Sequence, residues 1–175
     1  MKLIFIIQCT VFFILFSSAQ TNYPVPSDSK FRLFFVQHSL STNTYVYDVN
    51  IKNNAILRND PINVYRILFE DNGQKANLTI PQRKLAYGYT VNTITNDKFD
   101  FTLAGYKYQK MKLLKYNNKY VVETRVNDKS MILDRMFVKI KSNTSPLKVE
   151  VDYILFTGID SKSGQKITEK FIMND

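Results

Sequence analysis

The stretch KYVVETRVND, residues 119–128, decides the fold class of this chain. Large or β-branched residues fall on every second position from Tyr120 to Val126, and the charged residues Glu123 and Arg125 lie between them. Successive side chains of a β-strand point to opposite faces, so this spacing predicts a strand with one buried and one solvated face. The Asn-Asp pair that ends the stretch favours a tight reversal. The sequence therefore predicts a hairpin here.

The same two-residue period recurs along most of the chain, and turn-forming residues such as Asp71-Asn72-Gly73 and Asn117-Asn118 separate the runs. A hairpin loop at Ser161–Gly164 precedes a last strand near Lys166 to Met173. The alternating residues are Phe31, Leu33 and Phe35; Tyr45, Tyr47, Val49 and Ile51; Asn63, Tyr65, Ile67 and Phe69; Phe99, Phe101 and Leu103; Met136, Val138 and Ile140; and Val149, Val151, Tyr153 and Leu155. We predict a mainly β fold over residues 30–175, a single antiparallel β-barrel or β-sandwich. Alternation reports which face is buried and leaves strand order and closure open.

One segment favours a helix, at residues 80–87. Pro81 suits a first helical turn, good helix formers follow it, and Gly88 suits the end. A helix of about two turns is marginal alone, so we expect packing against one end of the sheet to hold it.

The chain begins like a secretory signal. Lys2 precedes an apolar run from Leu3 to Phe16, and small residues lead to Gln20. The run is shorter than the roughly 18 residues that span a bilayer, so we predict cleavage after residue 19, no retained transmembrane anchor, and a periplasmic or secreted product. Residues 20–29 read as an extended or flexible lead-in. Loss of Lys2 lowers the formal net charge from +9 to about +8.

Residue counts exclude several chemistries. The only cysteine, Cys9, leaves with the signal, and His38 is the only histidine, so neither a Cys-His pair nor a common zinc site can form. No Gly-x-Ser-x-Gly elbow supports a triad through His38, and the five glycines are too dispersed for a phosphate loop. Glu150 and Asp152 share a strand face, which solvation explains without catalysis. We predict no catalytic residue, no metal and no cofactor, and leave enzymatic activity open while favouring its absence.

Candidate ligand-binding residues are charged or aromatic groups at core-facing positions. Glu169 shares the parity of Ile167 and Phe171, and a buried acid requires a partner. Arg83 and Arg66 are the cations that we expect to be drawn inward to meet it. Tyr87 lies one helical turn beyond Arg83, and His38 completes the set. The alternative to a ligand site is a buried ion pair that fixes helix to sheet.

Lysines and tyrosines cluster between residues 106 and 120. Such a mixture suits nucleic acid or anionic polymers, but export argues against nucleic acid. Envelope lipid, acidic glycan or a protein remain as partners, and an ordinary solvated hairpin is the alternative. The oligomeric state stays open.

A family resemblance rests on five segments. They are FFVQHS at 34–39, TNTYVYD at 42–48, DPINVY at 60–65, QRKLAYGY at 82–89 and VEVDYILFTGID at 149–160, followed by Gly164 and Glu169. These segments resemble the bacterial domain family of unknown function numbered 4833. The resemblance implies a signal-bearing envelope protein and implies no activity, so it supplies no site residue.

Three hypotheses for function follow. The first is a non-catalytic binding module for an apolar or anionic envelope ligand, with Arg83 at the polar end of an interior cavity. The second is a structural or protein-interaction component with a filled core, and the third, less favoured, is an acid-dependent enzyme. Interior volume distinguishes the first two.

Overall fold

The structure is a computed structural model that describes residues 23–95, 97–142 and 149–173. The predicted signal, its cleavage position and the first residues of the lead-in lie outside the described residues. The prediction of a mainly β fold with one short helix is confirmed. The strands are β1 Arg32–His38, β2 Ser41–Val49, β3 Ile51–Lys52, β4 Ala55–Ile56, β5 Ile62–Leu68, β6 Gln74–Asn77, β7 Tyr89–Thr95, β8 Lys98–Leu103, β9 Tyr106–Tyr116, β10 Lys119–Val126, β11 Lys129–Ile140, β12 Val151–Asp160 and β13 Lys166–Ile172, and the helix is α1 Ile80–Leu85.

The main sheet divides into two branches at β11. One edge of β11 pairs with β12 along most of its length, and β13 follows β12. The opposite edge is shared, since β10 pairs antiparallel with residues 129–132 and β1 pairs parallel with residues 135–138. From β1 the first branch continues through β2, β5 and β6, and from β10 the second continues through β9, β8 and β7. The β1–β11 ladder is parallel, which alternation alone did not predict.

Both branches bury their inner faces in one core, so the sheet curls into a half-barrel. Phe34 and Tyr47 of the first branch stack with ring centroids 4.3 Å apart. Phe99, Phe101 and Leu113 of the second branch belong to the same cluster and are essentially inaccessible. The interior between the branches is therefore occupied by large aromatic and aliphatic side chains.

The alternation predicted for the 149–155 run is wrong beyond Val151. A bulge lies between the pairs Lys139–Tyr153 and Ile140–Val151, so one extra residue of β12 shifts the parity. Ile154 and Phe156 consequently face the core, while Tyr153 and Leu155 are only half-buried.

Hydrogen bonds at its N-terminus, rather than burial against the sheet, hold helix α1. Thr79 and Gln82 form a capping box, in which the Thr79 amide donates to Gln82 Oε1 at 3.0 Å. No residue of the helix is buried, and Ile80 and Leu85 are 70% and 74% exposed. The expectation that burial of the helix against the sheet holds it is wrong, because local hydrogen bonds do this instead.

Residues 23–29 lie across the outer face of β1 without regular secondary structure. The Tyr23 ring packs on Phe137 with centroids 4.9 Å apart, and Gln37 Nε2 donates to the Pro24 carbonyl at 2.8 Å. A second, smaller apolar cluster is formed by Phe35, Val46, Tyr65 and Ile67, apart from the main core.

Candidate functional site

A polar cluster lies on the inner face of the first branch, beside the end of α1. We call it the Tyr45 cluster, and its members are His38 of β1, Asn43 and Tyr45 of β2, Arg66 of β5, and Gln82 and Tyr87 at the helix. The rings of Tyr45 and Tyr87 stack with centroids 3.3 Å apart and planes 9° from parallel. This stack ties the helix end to the sheet and forms the centre of the site.

The chain after α1 positions Tyr87 closely. The amides of Ala86 and Tyr87 both donate to the Gln82 carbonyl, and a Cβ at Gly88 would overlap the carbonyl oxygen of Arg83. Tyr47 Oη, deep in the core, donates to the Tyr87 carbonyl at 2.7 Å. A glycine is therefore required at residue 88 for Tyr87 to reach the sheet.

Gln82 connects the helix cap to the aromatic stack. Its Oε1 accepts from the Thr79 amide, and its Nε2 donates to Tyr45 Oη at 3.4 Å. One side chain thus fixes the start of the helix and the tip of Tyr45 together. The Thr-x-x-Gln spacing is readable as a capping box from sequence, although our sequence reasoning did not use it.

Arg66 is the charged member of the Tyr45 cluster. It lies directly opposite Tyr45 in the β2–β5 ladder, where paired side chains share a face. Its Nε is buried without a hydrogen-bond partner, and Arg66 forms no ion pair with any residue in the described ranges. Asn43 Oδ1, two residues before Tyr45, is also buried without a hydrogen-bond partner among the residues that the structure describes. The cluster thus holds an uncompensated cation and an unsatisfied amide oxygen.

The imidazole of His38 and the phenols of Tyr45 and Tyr87 are in their neutral forms near neutral pH. Burial lowers the pKa of His38, and only the more distant Glu70 opposes this. The His38 Nδ1 accepts from the Leu40 amide at 3.2 Å, so the neutral ring carries its proton on Nε2. Burial also raises the pKa of Tyr45 and, more strongly, the pKa of Tyr87, which keeps both hydroxyls protonated. The site therefore offers neutral donors beside one guanidinium.

The structure separates Arg83 from this cluster. Arg83 is exposed on the outer side of α1, near enough to Tyr89 to lower the pKa of that phenol against the larger effect of burial. The Tyr89 hydroxyl itself donates to Asp60 Oδ1 at 2.7 Å. The expectation that Arg83 is drawn inward is wrong, because the capping geometry of the short helix leaves its side chain in solvent.

Glu169 also lies outside the Tyr45 cluster. Its side chain is 12% exposed, as the parity argument expected, but Lys129 Nζ contacts Oε1 at 2.6 Å and Asn127 Nδ2 donates to Oε2 at 3.1 Å. The hydrogen bond from Lys129 lowers the pKa of the Glu169 carboxyl. The expected pairing with Arg83 or Arg66 is wrong, since β13 is reached through β12, on the opposite edge of β11 from β5. Glu169 instead fixes β13 to the turn between β10 and β11.

The lysine and tyrosine cluster of residues 106–120 divides between core and surface. Tyr106 is buried against Phe156 and Phe171, while Tyr108 is 92% exposed and Tyr116 is 51% exposed. Within the described ranges, no group of three or more His, Cys, Asp or Glu side chains is placed to hold a metal ion. In the same part of the chain, no helix has the length and hydropathy needed to cross a membrane.

The fold and the site define an all-β domain that carries a half-buried aromatic and cationic cluster on one sheet branch. The chain belongs to the family of the domain of unknown function DUF4833, whose model matches residues 34–170. This confirms the resemblance read from the sequence, and the matched residues include every member of the Tyr45 cluster. No curated protein and no solved structure matches the chain.

Proposed function

We propose that this protein is a non-catalytic binding module for an anionic ligand and that the Tyr45 cluster is its binding site. The observation that carries the proposal is Arg66, a partly buried guanidinium without an ion pair in the described residues. The Arg66 Nε is removed from solvent while the residue as a whole is half-buried, and a partly desolvated cation is stabilised when an opposite charge pairs with it. A carboxylate or phosphate group on a ligand provides this compensation.

The surrounding groups support the same ligand chemistry. Neutral His38 offers Nε2–H. The protonated hydroxyls of Tyr45 and Tyr87 hydrogen-bond to each other and add no negative charge to the site. The ligand class that fits is a small anionic group, such as the uronate of an acidic glycan or the phosphate of a lipid headgroup. The filled interior does not support an apolar ligand held between the branches.

The test uses the single histidine as a reporter inside the site. We expect titration with inorganic phosphate or with glucuronate to shift the imidazole nitrogen resonances of His38 saturably. Arg66→Met should weaken binding at least about tenfold, because a charge-assisted hydrogen bond is lost. The two anions distinguish a phosphate ligand from a carboxylate ligand.

Arg83→Met is the matched control, since it removes the same charge from the exposed side of α1. It should bind the anion like the parent protein. An Arg66→Met protein that is folded by circular dichroism and binds normally would overturn the proposal, and so would equal losses in both variants.

We also propose that the protein is exported to the periplasm or beyond, which the charge and apolar run of residues 2–19 support. The intact mass of protein recovered from the exporting cell should correspond to a chain that begins at Gln20. Recovery of the full-length chain from the cytosol would contradict export.

A further inference from the structure

The division of the sheet leaves strand edges that no other described strand pairs with. On the edge of β11 that β10 and β1 share, neither strand pairs with Leu133 or Asp134. Arg32 and Phe34 of β1 pair with β2 on one side only, and residues 119–122 of β10 pair with β9 on one side only. We call this region the fork. Its free edges carry backbone N–H and C=O groups that no ladder satisfies, although the Arg32 amide donates to the Ser29 carbonyl at 3.1 Å.

The free edges of β1 and β10 line one groove of about 800 Å³. Its floor is largely apolar and is contributed by strands of both branches together with β12. The floor residues are Leu33, Tyr120, Val121, Ile132, Leu133 and Ile159. An apolar floor beside unpaired backbone groups is the combination that an added β-strand uses, with the backbone giving affinity and alternate side chains filling the floor.

The charge at the rim of the groove indicates which sequence of added strand would bind there. Lys30, Lys119 and Lys166 are exposed there, while Arg32 is held by Asp48 at 2.9 Å. Asp28 and Asp134 oppose them, so the rim keeps an excess of positive charge. We propose that the fork binds an extended acidic segment of another protein, which pairs with the free edges and places its carboxylates against the rim lysines.

This interaction surface is independent of the anion site. No member of the Tyr45 cluster lines the groove, so loss of anion binding at Arg66 leaves the fork proposal standing.

The test uses a short capped peptide that alternates valine and glutamate, with binding followed by fluorescence anisotropy. We expect saturable binding that weakens at least about tenfold when alternate peptide nitrogens are methylated, because methylation removes backbone donors and keeps every charge. A peptide that alternates valine and lysine should not bind. Equal binding of the methylated peptide would overturn strand addition.

A charge-reversed pair of variants tests the location. The double variant Lys119→Glu with Lys166→Glu should weaken binding of the acidic peptide at least about tenfold. Lys52→Glu with Lys98→Glu makes the same change in net charge at exposed positions outside the groove and should leave binding unchanged. If both double variants lost the same amount of peptide affinity, net charge alone would explain the loss, and the proposal would be overturned. A dimer of the chain that the peptide dissociates, seen by sedimentation, would assign the fork to a second copy and also overturn it.

Discussion

Phe156→Ala should lower the free energy of unfolding by about 4 kcal/mol, the largest loss that we expect from one substitution. Phe156 lies on β12, is completely buried, and has its ring centroid 6.4 Å from that of Tyr106 on β9. Removing the ring leaves a cavity beside a second-branch strand in a core that large side chains already fill. Urea unfolding followed by far-ultraviolet circular dichroism measures the change.

Leu155→Ala is the control for this loss. Leu155 immediately precedes Phe156 in the strand, points to the opposite face, and is only half-buried. We expect about half the loss or less there, because a partly solvated position leaves a smaller cavity. Equal losses at the two positions would contradict the parity that the β12 bulge imposes.

Gly158→Ala should destabilise the protein by about 2 to 3 kcal/mol, although it adds a single methyl group. A Cβ at Gly158 would overlap the carbonyl oxygen of Ile132 and would lie 3.2 Å from the Leu133 Cα. Both are backbone atoms of β11 and cannot rotate away, so the β11–β12 ladder has to shift. The ladder would shift next to the fork, where neither β1 nor β10 pairs with the other edge of β11.

Gly73→Ala separates this steric effect from the ordinary cost of replacing glycine. Gly73 has φ +74 and open space around the position of an added Cβ. Its substitution should cost about 1 kcal/mol, from backbone conformation alone. Thermal unfolding of the two variants measures the difference, and a smaller loss at Gly158 than at Gly73 would show that the close approach to Ile132 is not limiting.

Local patterns in the sequence predicted most of the strands and many of the reversals between them, although β7 was not among the predicted runs. Asn117, Asn118, Asn127 and Asp128 all have positive φ, as the turn residues of the hairpins around β10 require. The helix was predicted for the same reason, since Pro81, the helix formers after it and Gly88 act over a few residues. Each of these features depends on neighbours along the chain.

The candidate site was predicted only in part. His38, Arg66 and Tyr87 belong to the Tyr45 cluster, but Asn43, Tyr45 and Gln82 were missed. Nothing in an alternating strand distinguishes a core tyrosine from one that belongs to a site, and the capping role of Gln82 was not used. Glu169 was correctly expected to face inward, yet its partner Lys129 is forty residues away on another strand. The position of a residue in an alternating strand predicts which face its side chain points to, but not which residues that side chain contacts.

The amino-acid sequence by itself determined that this chain is a β protein with a short capped helix, because side-chain alternation, turn residues and capping residues act over a few positions. The tertiary structure alone decided that β11 is shared by β1 and β10, that the β12 bulge turns Phe156 inward, and that Arg66 lies opposite Tyr45. These features depend on which distant strands become neighbours. Burial of one shared core by both branches selects that pairing, and no short stretch of the chain encodes it.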